Sequence, residues 1–118
     1  MELSVLGTNY TIKVKEYSEE EYFKENSADG YCCWPAHEIV ICNMKTYPGW
    51  EKATEEEASE SQKHTLRHEI VHAFFNESGL RHNGLQPNRA WAVNEEMVDW
   101  IALQGPKIYD AWKKAGAL

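Results

Sequence analysis

His68, Glu69 and His72 stand together as HEIVH inside TLRHEIVHAFFNESGL, a stretch without proline whose apolar residues recur at helical spacing. On a helix, positions four apart lie on one face a turn apart, so His68 and His72 can bring both imidazoles to a single metal ion. Zinc held there makes a water far more acidic than bulk water, and a neighbouring carboxylate can take its proton as the oxygen attacks a carbonyl carbon. Glu69, adjacent to the first ligand, is the candidate for that general base. A chain of 118 residues with 5 His and 19 Asp and Glu supplies HExxH by chance in a small fraction of sequences, so its context has to carry the reading.

A catalytic zinc takes three protein ligands and keeps a fourth position open, which makes Glu95, Glu96 and His82 the candidates for the third. The segment NEEMVD at residues 94–99 puts Glu95 and Asp99 four apart on one helical face. Glu95 can then ligate, while Asp99 orients His68 or His72 through the imidazole nitrogen that does not face the metal. His82, in the loop sequence RHNG, is the weaker candidate. His37 and His64 lack comparable partners and read as surface residues. No motif fixes an oxyanion stabiliser; Tyr31, Tyr47, His82 and Arg89 are the residues of suitable type. Cys32, Cys33 and Cys42 form no CxxC pair, and adjacent Cys32 and Cys33 are poorly placed to bond each other, so reduced thiols are expected.

HEIVH followed by NEEMVD resembles the gluzincin arrangement, in which HExxH on one helix is completed by a Glu on the next. The resemblance implies zinc ligation by His68, His72 and Glu95, Glu69 as general base and Asp99 behind a ligand. The longer run, with WAVNEEMVDWIALQ and PKI, resembles small phage- and prophage-encoded zinc metallopeptidase-like proteins, relatives of minimal gluzincins and of ImmA/IrrE-type peptidases. It implies a zincin-like domain that hydrolyses a peptide bond. Zincins bind extended peptide along an edge strand beside the active-site helix, and Glu38–Cys42 is the expected strand here. A metzincin is excluded, because Phe75 and Ser78 stand where its Gly and third His belong.

The elements that must position these residues follow from local pattern. LSVLGTNYTIKVKEY predicts a hairpin turning at Gly7-Thr8-Asn9, with Val5, Tyr10, Ile12 and Val14 on its buried face. Ser18 with Glu21 predicts a capped short helix through Lys24, followed by a loop at Asn26 to Gly30. EIVIC at 38–42 reads as a strand bordering the sheet. Thr54 with Glu57 caps a helix that runs to Glu77 and stops at Gly79, with Leu66, Ile70, Ala73 and Phe74 inward. Asn88 caps the next helix, through Gln104, and Gly105-Pro106 interrupts it before a last piece from Lys107 to Ala115. Trp91, Val93, Met97, Val98, Trp100, Ile101 and Leu103 are its expected packing residues.

Strands first and helices after mean an α+β fold, and the length fits one zincin-like domain over residues 1–118 with a small N-terminal sheet. A net charge of −7 disfavours nucleic acid as partner. No apolar run approaches a membrane span and no basic-then-apolar leader opens the chain, so a cytoplasmic protein of a bacterium or phage-infected host is expected. The expected function is zinc-dependent peptide hydrolysis. The alternative is a non-catalytic zinc-stabilised binding or regulatory domain, which would close the fourth zinc position with a protein ligand.

Overall fold

The computed structural model describes residues 1–82 and 91–118 and is an α+β domain built on a four-stranded mixed sheet. Strands β1 (Glu2–Val5) and β2 (Thr8–Lys15) form the expected hairpin. Its turn falls on Leu6 and Gly7, both in the left-handed region at φ 49° and 90°, because Thr8 is already paired with Val5. Two consecutive left-handed residues give the tight turn whose twist matches that of the strands.

Two short helical segments follow. A 3-10 turn at Tyr17–Glu19 is boxed by Glu16 and Glu19, and helix α1 (Glu21–Asn26) is capped by Glu20. The capping box expected of Ser18 and Glu21 is thus displaced, with Glu carboxylates doing the capping. The loop expected to extend to Gly30 ends earlier, because Gly30 opens a strand the sequence reading missed, β3 (Gly30–Cys33). Strand β4 (Glu38–Cys42) pairs parallel with β2 and antiparallel with β3, giving the order β1-β2-β4-β3.

EIVIC is therefore an inner strand, which corrects the expectation that it borders the sheet. Ile39, Val40, Ile41 and Cys42 are all buried, a continuous apolar run that suits a strand covered on both faces. On one face Ile39 and Ile41 join Val5, Tyr10, Ile12 and Ala73; on the other Val40 and Cys42 meet Phe23, Met44 and Ala58. Val14, expected inside, is exposed near the end of β2.

Helix α2 (Glu55–Glu77) has the Thr54–Glu57 capping box and the Gly79 stop that its sequence predicts, Gly79 taking φ 83°. Its sheet-facing side is partly polar. Thr65, Glu69 and Asn76 are buried with Ala58 and Ala73, whereas Phe74, expected inward, is exposed. Contact is close at Gly30, where a Cβ would lie 2.7 Å from Thr65 Cγ2, 3.2 Å from the Val40 carbonyl and 3.4 Å from Glu69 Cγ. Only a residue without a side chain lets β3 approach α2 this closely.

Helix α3 (Glu95–Lys114) starts later than expected, capped by Asn94, which accepts from the Met97 amide. Asn88, the expected cap, lies outside the described residues. The helix runs unbroken through Gly105 and Pro106, correcting the predicted interruption. Proline at 106 offers no N–H to the carbonyl of Ala102, and Arg67 Nε of α2 donates to that carbonyl instead, at 2.8 Å. Only Val98 and Ala102 of α3 are buried; Trp100 and Leu103 are exposed, as is Trp91, which meets Phe75 edge-on. No helix among the described residues is long and apolar enough to cross a membrane.

Candidate metal centre

Helices α2 and α3 meet where His68 and His72 face Glu95. His68 Nε2 and His72 Nε2 are 3.1 Å apart, Glu95 Oε2 lies 2.9 Å from His68 Nε2, and Glu95 Oε1 lies 3.1 Å from His72 Nε2. Both imidazoles are largely sheltered, with side-chain exposures of 17% and 15%, while Glu95 is 64% exposed at the first turn of α3. An acidic residue is favoured at that position by the positive end of the helix dipole.

Asp99, one turn on from Glu95, accepts from His68 Nδ1 at 3.2 Å and from His64 Nε2 at 2.7 Å. Burial works against its charge, but the two imidazole bonds outweigh that and hold the carboxyl below its usual range. A neutral His68 that donates from Nδ1 must present a lone pair at Nε2. That lone pair points at a carboxylate oxygen, which is also an acceptor. The donor set thus has the chemistry of a cation site, and its separations approach the edge of about 3.3 Å expected between donors on a tetrahedral zinc.

Glu69 is buried on the sheet-facing side of α2, and its carboxylate opens onto both cavities at the site. The larger, about 730 Å3, is bounded by β3, His72, Glu95, Val93 and Arg81. The smaller, about 270 Å3, lies on the His64, His68 and Asp99 side. Burial pushes Glu69 up to about 7; the nearby His68 opposes this, and Glu95 and Asp29 add to it. A cation at the three donors would draw the value back down. Burial pushes His72 down, against the pull of Glu95, so it stays a neutral donor for a metal at neutral pH.

The five residues singled out by motif, His68, Glu69, His72, Glu95 and Asp99, are thus brought to one place. Glu96 is exposed and outside the cluster. Tyr31 lines the larger cavity, but its hydroxyl bonds Glu20 at 3.3 Å, while Tyr47 packs against Tyr17 in the other core cluster. Arg89 and the side chain of His82 lie outside the described residues. His37 sits against the Tyr10 ring, 3.8 Å from Glu77, and so is not the unpartnered residue its sequence context suggests.

Three participants escaped the sequence reading. His64 precedes His68 by four residues, as His68 precedes His72, and that repeat was the available signal. Asn76 continues the series, buried among the core residues of α2. Arg81, in the 3-10 turn Leu80–His82 after α2, lines the larger cavity and donates from Nη1 to Asn76 Oδ1 at 3.4 Å. Comparisons with protein-family models, curated proteins and solved structures find no match.

Proposed function

We propose that the chain is a zinc-dependent metallopeptidase of gluzincin type, with His68, His72 and Glu95 as ligands and Glu69 as general base. The observation that carries this is the convergence of three lone-pair donors from two helices, with Asp99 bonded behind one of them. Zinc bound at these donors would acidify a water and polarise the scissile carbonyl. Glu69 takes the proton of the attacking water and returns it to the departing amine. Asp99 fixes the tautomer and orientation of His68, and His64 in turn holds Asp99.

The substrate-binding edge moves from β4 to β3. Strand β4 has both edges paired within the sheet, whereas β3 is one of the two outer strands and its Gly30, Tyr31 and Cys32 border the larger cavity. An extended peptide added along β3 would pass Glu69 and the three donors. The reading as a non-catalytic zinc domain needs a fourth protein ligand; among the described residues the cluster has three.

The test separates metal binding from chemistry. Glu69→Gln should keep near-stoichiometric zinc by elemental analysis while hydrolysis of a peptide library falls to background. Full activity in that variant would overturn the mechanism.

A further inference from the structure

The cleft differs in charge from one side to the other. Glu69 and Glu95 line both cavities, but the smaller adds Asp29 and Asp99 without a lysine or arginine, whereas the larger adds Arg81. Arg81 is exposed, and its guanidinium rests against a buried amide. Asn76, only 4% exposed, accepts from Arg81 Nη1 through Oδ1 and donates through Nδ2 to Cys32 Sγ of β3 at 3.6 Å. A buried amide four residues beyond His72 therefore contacts both Arg81 and β3.

A guanidinium has five N–H donors in a rigid fork suited to a carboxylate. Among the described residues, Asn76 takes the one hydrogen bond that Arg81 donates. Glu95 borders both sides, but a carboxylate on the opposite side would also meet Asp29 and Asp99 with no arginine to offset them, and like charges disfavour that placement.

We propose that Arg81, positioned by Asn76, is a specificity-determining residue that binds a carboxylate of the peptide on the His72 side, from an Asp or Glu side chain or from a free C-terminus. This rests on the peptidase reading for the use of the cleft, but the contact itself needs no turnover.

Binding is measured by fluorescence anisotropy on the Glu69→Gln chain, with zinc and after chelation, using N-terminally labelled alanine-based peptides. One has a free C-terminus, one is amidated, and two amidated peptides carry an internal Glu or Gln. The carboxylate peptides should bind about tenfold tighter than their neutral counterparts. The free-terminus and Glu arms show which carboxylate is taken. Arg81→Ala and Arg81→Gln should erase the difference and leave the neutral peptides and the melting temperature unchanged. Equal binding of charged and neutral peptides, equal loss for both on substitution, or no binding at all overturns the assignment. Hydrolysis by the unsubstituted chain without a carboxylate preference would sink this proposal alone; a carboxylate preference without hydrolysis would sink the peptidase reading alone.

Discussion

Helix α2 is fastened to the sheet along its length, through Ala58 and Ala73 in the two core clusters, Thr65 bonded to Asp29, and Glu77 bonded to Thr8 and Tyr10. Helix α3 buries two residues and is secured to α2 by the Arg67 bond to Ala102 and by Asp99 on His64 and His68. The site is therefore asymmetric. His68, His72 and Glu69, the proposed ligands and base, stand on a helix fixed by the core, and Glu95, the proposed third ligand, stands on a helix that buries only Val98 and Ala102. One physical consequence is that the imidazoles are placed whether or not metal is present, whereas Glu95 depends on the contacts that dock α3.

Zinc affinity, measured by competition with a chelator, is the most severe test of this asymmetry. His72→Ala should lower affinity by more than the roughly 100-fold that marks the upper range for supporting residues. Glu95→Ala should cost less than His72→Ala, because the exposed carboxylate is the less rigidly placed donor. Asp99→Asn removes the acceptor behind His68 and loosens the docking of α3, so a loss of about 10- to 100-fold is expected. A Glu95→Ala loss exceeding that of His72→Ala would reverse the comparison and make α3 the organising helix.

What was legible in the sequence follows the same division. HEIVH, the Thr54–Glu57 cap and the Gly79 stop are local signals, and local signals decide where a helix starts, where it ends and which residues share a face. Glu69 shows the limit, since its motif marks it as a candidate base but its burial against the sheet follows only once Gly30 is seen to make room for it. Strand β3 escaped because its four residues, GYCC, are defined by pairing with β4 rather than by any pattern of their own. The same non-local pairing made β4 an inner strand. On α3, Pro106 signalled a break that did not occur, because Arg67 of a different helix satisfies the carbonyl the proline leaves unpaired. Contacts between distant segments override a propensity without leaving a mark in the local sequence.

Fold stability gives a smaller and independent contrast. Gly30→Ala forces a methyl group against Thr65 and the Val40 carbonyl, and β3 or α2 must shift to admit it. A loss of about 2 kcal/mol in urea unfolding is expected, as for overpacking at other close contacts. Asn94→Ala removes the cap of α3, where the side chain accepts from Met97, and should cost about 1 kcal/mol. If the cap variant proved the more destabilising, α3 would be contributing more to the fold than its shallow burial implies.

The smallest effect expected is a pH dependence from the last turn of α2. Glu77 sits at the negative end of the helix dipole, an unfavourable place for a carboxylate, yet its oxygens accept from Tyr10 at 2.7 Å and Thr8 at 2.8 Å. The Tyr10 bond, then the Thr8 bond, hold its pKa below the ordinary glutamate value despite some desolvation. A carboxyl whose folded pKa is depressed contributes stability above its unfolded pKa, and that contribution disappears as pH falls through the folded value. Melting temperature should therefore fall as the solution is acidified below about pH 4.5, the ordinary value for this group. Glu77→Gln should flatten that part of the curve, whereas Asp110→Asn on α3, where the carboxylate pairs only with exposed Lys114 among the described residues, should leave it nearly unchanged. An equal flattening by the two substitutions would mean that the hydrogen bonds of Glu77 to β2 do not anchor α2 more firmly than an exposed ion pair anchors α3.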